Sequence, residues 1–224
     1  NFYSDVSQFS SIPDYVIVAS KVLPEINLVD QIRPLIGDHT TIVLLQNGLF
    51  IELELLKAFP GNDIVSAIAF VCAERVEPNR VLHMDYGSLI LGRFPFGSSS
   101  QVDWLNHTFN EVGVDCSIST EIQTERWKKL IWNAAFNPIS VITKKNTNAI
   151  LADTYSEKLV RQIMKEVILL AEMSDSHLDP ALIETMIENT RKMKPYKTSM
   201  LVDYEKGRPL ELEAILGNAV FYAQ

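Results

Sequence analysis

The sequence predicts an α/β fold with a parallel sheet, followed by an all-α region. Continuous apolar, β-rich runs occur at 15–19, 41–45 and 64–72. Such runs are typical of strands buried on both faces of a parallel sheet. Helical stretches of about ten residues lie between them, as in α/β units. Because no strand-like run follows residue 119, we predict an α/β domain over 1–119 and an all-α domain over 120–224.

The elements of the α/β domain follow from these patterns and from the turn residues between them. Strands are predicted at 15–19, 41–45, 64–72 and 114–118. Helices are predicted at 28–36, 51–59 and 102–112. Two short runs, 81–84 and 88–91, predict a hairpin that turns at Asp85-Tyr86-Gly87, since glycine after a polar residue favours tight turns.

The second domain shows only helical periodicity. Its helices are predicted at 125–141, 155–174, 180–192 and 211–222. Gly207 and Pro209 precede the last of them and are typical of a break between helices.

Composition excludes several classes of protein. The chain has 224 residues, 47% of them hydrophobic and 21% charged, which is typical of a globular protein with a substantial core. The net charge of −8 argues against nucleic-acid binding. No apolar run approaches the roughly 20 residues of a membrane span, and no signal-peptide pattern begins the chain. We therefore expect a cytoplasmic protein, and an apolar helical domain also suits a homodimer.

The cysteines and histidines do not predict a metal site. Cys72 and Cys116 stand alone, without a CxxC pair, and are interpreted as buried thiols rather than a disulfide. The four histidines are scattered along the chain, which does not match the clustered ligands of a zinc site.

A polar stripe stands out in the segment Glu125–Ser140. Lys129, Asn133 and Asn137 are four residues apart, so on a helix they lie within roughly 80° of one another. The neighbouring positions are apolar, and buried amide or ammonium groups require partners. From spacing alone, a hydrogen-bond network between helices and a ligand site explain the stripe about equally well.

Two further polar positions follow predicted parallel strands. Lys21 comes after the first strand and Asn47 after the second, and ligands of open α/β sheets bind beyond these carboxyl ends. Taken singly, Lys21 could be a solvated lysine and Asn47 part of an Asn-Gly turn. The sequence contains no GxGxxG or GxxxxGK[ST] phosphate loop, so the chain resembles a nucleotide-binding domain entered partway.

A second polar group lies near the C-terminus. Spacing alone favours structural roles: Ser199 as an N-cap, Asp203 and Arg208 as a local ion pair, and Glu211 as a helix-start carboxylate.

Together these segments resemble the ketopantoate reductase family. The resemblance rests on DYVIVASK, LLQNG, RWKKLIWNAAFNPIS, KNTN and TSMLVDYEKGRPLELEAILGN, and it extends from about residue 13 to the end. It implies a Rossmann-type NADP-binding domain, N-terminally incomplete here, followed by a helical substrate and dimerisation domain. It also implies reduction of 2-dehydropantoate (ketopantoate) to pantoate with NADPH.

The resemblance assigns a role to each stripe residue. It implies that Lys129 is the general acid that protonates the carbonyl oxygen, and a desolvated lysine with a lowered pKa suits that role. It further implies that Asn133 and Asn137 orient Lys129 and bind substrate oxygens.

The resemblance also places the remaining candidates. Ser199 and Asn148 are implied to bind substrate, with Asn146 as the alternative to Asn148. Asn47 is implied to lie where substrate and cofactor meet. Glu211 is implied to contact the substrate hydroxyl and the nicotinamide end, and Lys21 to face the adenosine phosphate of NADPH.

Two positions depart from the family pattern. Tyr196 stands where an asparagine is common, and Leu216 replaces a polar residue in the last helix. Both favour keeping another 2-oxo acid as an alternative substrate. The absent glycine loop keeps open a third reading, a non-enzymatic ligand-binding or dimerisation module.

Overall fold

The computed structural model describes residues 6–222, which form two compact units. The first comprises the chain up to Ser20, Ile26–Gln46 and Ile51–Glu125. The second comprises Lys21–Glu25, Asn47–Phe50 and the chain from Arg126 onward. The sequence-based division at residue 120 treats each domain as one continuous segment and stays a prediction. By packing, two short segments that follow predicted strands belong with the helices.

The first unit is built on a five-stranded sheet in the described residues, in the order β1-β2-β3-β4-β5. Strands β1, β2 and β3 pair in parallel, β4 runs antiparallel to β3, and β5 is parallel to β4. The strand bounds are Tyr15–Val18, Thr41–Leu44, Ile64–Glu77, Arg80–Arg93 and Cys116–Ile118. The predicted α/β class with a parallel sheet is confirmed.

Helices flank the sheet and make up most of the second unit. In the first unit they are α1 (Leu28–Ile32), α2 (Leu53–Ala58) and α3 (Ser100–Glu111). The helix α4 (Ile122–Thr143) leads into the second unit, which continues with α5 (Thr147–Leu151), α6 (Thr154–Met173), α7 (Leu182–Lys192), α8 (Ser199–Glu205), a π-helical turn (Glu213–Gly217) and α9 (Asn218–Tyr222). No described helix is long and apolar enough to cross a membrane.

The predicted hairpin turn at Asp85-Tyr86-Gly87 is wrong. Strand β4 runs through these residues, and the chain reverses at Pro78-Asn79, between β3 and β4. Tyr86 and Gly87 have φ angles of 58° and 142°. Val71 pairs with Tyr86 and Phe70 with Ser88, so Gly87 is the extra residue of a β-bulge. Glycine suits a positive φ angle in a tight turn and in a bulge alike, so its presence here does not distinguish the two.

Both faces of β2 and of the first part of β3 are buried, as their apolar runs predict. The same prediction is wrong for β1, where Val16 and Val18 are buried but Ile17, on the other face, is 51% exposed. Ile42 and Leu44 pack on one side with Leu55 of α2. Val43 and Val65 pack on the other side with the apolar face of α3. Consecutive β2 residues therefore enter opposite clusters, which explains why that run has no polar alternation.

The second unit has its own core around α4. Trp127, Ile131 and Phe136 are fully buried and pack with apolar residues of α6 and α7. The helix is longer than predicted and continues through Pro138. This packing makes α4 the central helix of the unit and fixes the direction of its polar stripe.

The last predicted helix, 211–222, is less regular than expected. It begins after Glu211, passes through a π-helical turn and continues as α9. The short helices α5 and α8 were not predicted, because each is only one or two turns long and lacks a clear apolar period.

Candidate functional site

The centre of the candidate site is Lys129, near the middle of α4. Its ammonium group donates a hydrogen bond of 2.8 Å to the side-chain oxygen of Asn47. Asn47 belongs to the short segment Asn47–Phe50, which packs in the same unit as α4. Two residues that are 82 positions apart in sequence therefore meet within this unit.

The environment of Lys129 lowers its pKa from 10.5 to about 8. Burial is the largest cause, because it disfavours the charged form, and the nearby Arg126 guanidinium adds to it. The Glu211 carboxylate acts in the opposite direction. A lysine in this range can give up a proton near neutral pH.

The two asparagines of the stripe lie on successive turns after Lys129. Asn133 is partly buried, whereas only 1% of Asn137 is exposed. The side-chain oxygen of Asn137 is buried and has no hydrogen-bond partner in the part of the chain that the structure describes. Buried polar atoms are normally satisfied, so this acceptor favours the ligand interpretation of the stripe over the structural one.

Glu211 lies close enough to influence Lys129 and is held by the segment Lys21–Glu25. Its carboxylate accepts a hydrogen bond of 3.0 Å from the backbone N–H of Val22. Burial raises the pKa of Glu211 above its ordinary value, against the opposing effects of the Val22 hydrogen bond and the Lys21 charge. Glu211 precedes the first helical residue, and its carbonyl accepts from the N–H of Ile215.

Lys21 is engaged within the same unit. Its ammonium lies 2.6 Å from the Asp203 carboxylate and donates to the carbonyl oxygen of Pro209 at 2.9 Å. Asp203 also pairs with Arg208 at 3.0 Å, as the local structural interpretation predicts. A cofactor phosphate at Lys21 would therefore share this lysine with Asp203.

The predicted N-cap at Ser199 is wrong. Thr198 caps α8, with its side chain accepting from the N–H of Leu201 at 3.1 Å, and it also bonds to Ser140 of α4 at 2.6 Å. Ser199 is the first residue of α8 and is exposed. Its hydroxyl is thus not needed for the cap.

Of the two asparagines near α5, Asn146 has a structural role. Its side chain caps α5 by accepting from the N–H of Ala149 at 2.9 Å. Asn148 lies within α5 and makes two long contacts of 3.4 Å: its amide nitrogen donates to the carbonyl of Met193, and its amide oxygen accepts from the Thr147 hydroxyl. The family role therefore suits Asn148 better.

Arg126 is the residue of this site that sequence reasoning missed. Its guanidinium is buried and donates to the carbonyl of Gly48 at 3.0 Å. The available signal was its position, three residues before Lys129, which puts both on neighbouring parts of one helix face. An arginine at this spacing from Lys129 could have been recognised on that basis.

A separate cavity lies in the first unit. It has a volume of about 310 Å³ and is lined by residues including His39, Asp63 and Arg93. It contains none of the predicted site residues, and it lies where β2 and β3 begin, opposite the strand ends that carry ligands in open α/β sheets.

The class of protein follows from these features. A parallel α/β unit combined with a helical unit that holds a low-pKa lysine, buried amides and a carboxylate is typical of an oxidoreductase that reduces a polar carbonyl compound. In the helical unit Lys129 contacts Asn47 and lies near Glu211, and Asn133 and Asn137 lie on the successive turns of α4.

Comparison with known proteins agrees with this class. The model of the ketopantoate reductase family PanE/ApbA matches residues 2–95, and the model of its C-terminal domain matches residues 121–224. The chain therefore belongs to the ketopantoate reductase family.

Individual relatives match over the whole chain. A 2-dehydropantoate 2-reductase of Nostoc sp. is 35% identical over 100% of this chain and 72% of its own length. The crystal structure of 2-dehydropantoate 2-reductase from Methylococcus capsulatus is 40% identical with a TM-score of 0.90, covering 97% of this chain and 70% of that one. That from Geobacter metallireducens is 36% identical with a TM-score of 0.92, covering 99% and 74%. The chain is thus a ketopantoate reductase-type oxidoreductase, with the predicted Rossmann-like and helical architecture.

Proposed function

We propose that the protein reduces the carbonyl group of a 2-oxo acid with NADPH, and that the substrate is 2-dehydropantoate. The observation that carries the proposal is Lys129, a partly buried lysine with a pKa of about 8 beside Asn47. The curated and structural relatives named as 2-dehydropantoate 2-reductases support the choice of substrate.

Lys129 is the proposed general acid. Its ammonium group transfers one proton to the carbonyl oxygen as hydride reaches the carbonyl carbon, so the ketone becomes an alcohol. The neutral amine then recovers a proton from solvent. Donation is favourable because burial destabilises the charged ammonium relative to the neutral amine.

The amides and Ser199 are the proposed substrate ligands. The unsatisfied oxygen of Asn137 can accept from a substrate hydroxyl, and the neighbouring amide of Asn133 can donate to a carboxylate or carbonyl oxygen. Asn148 and the exposed hydroxyl of Ser199 provide further polar contacts. Several convergent polar groups in a partly buried site fix the orientation of a small polar ligand.

NADPH, when bound, supplies the hydride and is oxidised to NADP⁺. The residues fit its reacting end: the amide oxygen of Asn47 is used by Lys129, which leaves the amide N–H groups to donate to the nicotinamide end. Glu211 is the proposed carboxylate at that end, and Lys21 the proposed cation toward the adenosine phosphate.

The experiment is an assay of NADPH oxidation with 2-dehydropantoate, followed by the loss of NADPH absorbance, on the natural polypeptide. We expect turnover in the wild type and none above background in Lys129→Ala. If the protein turned over only other branched 2-oxo acids, one of those would replace 2-dehydropantoate as the proposed substrate, as the departures at Tyr196 and Leu216 allow. A wild type that neither binds NADPH nor turns over any of them would contradict the proposal and favour the non-enzymatic module.

Assembly and location are part of the same proposal. We expect a homodimer in the cytoplasm, and light scattering coupled to size-exclusion chromatography tests the first of these. A monomer at micromolar concentration would contradict the dimer without affecting the proposed chemistry.

A further inference from the structure

Arg126 has an unusual position for an arginine. It lies on α4, is only 4% exposed, and donates from Nη1 to the carbonyl oxygen of Gly48 at 3.0 Å. Gly48 has a φ angle of 118°, which favours glycine at this point. The guanidinium therefore fixes the backbone directly after Asn47, at a residue whose conformation favours glycine.

Burying this guanidinium beside another cation has a free-energy cost. A desolvated charge costs several kcal/mol unless partners offset it, and Lys129 lies three residues further along the same helix. The nearby guanidinium also lowers the pKa of Lys129.

The contacts connect Arg126 to Lys129 in two ways. One runs through the loop, because Arg126 holds Gly48 and the preceding Asn47 accepts from the Lys129 ammonium at 2.8 Å. The other is through space, since both side chains extend from adjacent turns of one helix.

We propose that Arg126 is a positioning residue for the reduction proposed above: it fixes Asn47 against Lys129 and holds a permanent positive charge next to the proton donor. The inference rests on the proposed function for its role in turnover. It predicts a measurable effect on Lys129 even when no substrate is present.

The charges that face Lys129 determine the direction of that effect. Burial and Arg126 lower the pKa of Lys129, and Glu211 raises it. Removing the Arg126 charge should therefore raise the pKa of Lys129. Because a general acid acts only while protonated, the high-pH loss of kcat should move upward with it.

Two variants of Arg126 separate its charge from its shape, and a control and a reserve variant accompany them. Arg126→Gln keeps a hydrogen-bond donor for Gly48 but removes the charge, and Arg126→Lys keeps the charge but loses the planar fork. Lys128→Met is the matched control, because it removes a positive charge from the same helix at a position about 100° around the helix axis from Lys129. Arg126→Met serves as a second neutral variant if Arg126→Gln does not fold.

The measurement is NMR titration of the protein labelled with ¹³C at lysine Cε, with the Lys129 signal assigned by its loss in Lys129→Met. In Arg126→Gln we expect the pKa of Lys129 to rise by about one unit, as removal of a nearby like charge does. In Arg126→Lys and Lys128→Met we expect it to stay within a few tenths of the wild type. The pH profile of kcat, measured in parallel, should shift only in the neutral Arg126 variants.

Two results would overturn the inference. One is an unchanged Lys129 pKa in both neutral variants. The other is a rise in Arg126→Lys as large as that in Arg126→Gln. If the titration behaves as expected but no form of the protein turns over a 2-oxo acid, the proposed function fails while the effect of Arg126 on Lys129 stands.

Discussion

Two groups of charged residues in the helical unit differ in how their charges are balanced. On α6 and α7, Glu157 pairs with Arg161 at 2.9 Å and with Arg191 at 2.5 Å. Burial acts to raise the pKa of Glu157, but these two hydrogen-bonded partners lower it below its ordinary value. On α4, burial and Arg126 instead destabilise the charged form of Lys129.

The difference distinguishes charges that stabilise the fold from a charge that is suited to proton transfer. In the α6–α7 network each charge has an opposite neighbour, so ionisation is favoured and the groups stay charged near neutral pH. Desolvation and a nearby like charge lower the pKa of Lys129 to about 8, with the Glu211 carboxylate acting against them. A charge of this kind destabilises the folded protein and is suited to proton transfer.

The strongest way to break this comparison is Lys129→Ala. If Lys129 is the general acid, kcat should fall by about 10²–10⁴ while NADPH binding is nearly unchanged. Steady-state kinetics and cofactor titration measure the two separately. Lys128→Ala, one residue away, is the control and should retain turnover; equal losses in both variants would remove the role of Lys129.

A second prediction concerns stability. Because the pKa of Lys129 is lowered from 10.5 to about 8 in the folded protein, the unfolded chain binds its proton more tightly. The resulting loss in the free energy of unfolding is fully present below pH 8 and disappears as the pH rises toward 10.5. We therefore expect Lys129→Met to raise the free energy of unfolding by about 1–3 kcal/mol at neutral pH.

Denaturant unfolding at several pH values measures this gain. The advantage of Lys129→Met should shrink steadily above pH 8, the folded-state pKa. A variant that is less stable than the wild type at neutral pH would show that Lys129 is paired as a structural charge, like those on α6 and α7.

The role of Lys21 is sharpened by comparing two variants. Lys21→Ala should weaken NADPH about tenfold and NADH much less, because only NADPH carries the additional phosphate. Asp203→Asn removes the 2.6 Å ion pair of Lys21 but leaves its charge, so NADPH binding should be retained. If Lys21→Ala weakens both cofactors equally, Lys21 acts only as the tether to Asp203.

The smallest effect is expected in the α6–α7 network. Glu157→Gln should lower the free energy of unfolding by less than about 1 kcal/mol, because ion pairs near the surface contribute little. Turnover should be unchanged. A large loss of activity with an unchanged unfolding curve would mean that the network is part of the site.

Features with a strong local signal were predicted from the sequence. The apolar runs of β1 to β3 and the long amphipathic helices appear near their expected places. The spacing of Lys129, Asn133 and Asn137 predicted that they share one face of the helix, because helix geometry alone determines this. The hairpin turn failed because a glycine with positive φ serves a bulge as well as a turn.

The contacts that give the site its chemistry could not be predicted locally. The Arg126–Gly48 and Lys129–Asn47 hydrogen bonds span 78 and 82 residues, and nothing in either segment specifies its partner. Thr198 rather than Ser199 caps α8 since Thr198 is also held by Ser140 of another helix. Burial of Lys129 likewise depends on the packing of α4 as a whole, and only the folded unit reveals it.

The central claim is that Lys129 donates the proton in the reduction of a 2-oxo acid. The pH dependence of kcat with NADPH and 2-dehydropantoate tests it most directly. We expect kcat to be highest below pH 8 and to fall as the pH rises through the Lys129 pKa of about 8. The residual activity of Lys129→Ala should not show this fall. A wild-type kcat that stays constant up to about pH 10, where an ordinary lysine titrates, or the same fall in Lys129→Ala, would contradict the claim.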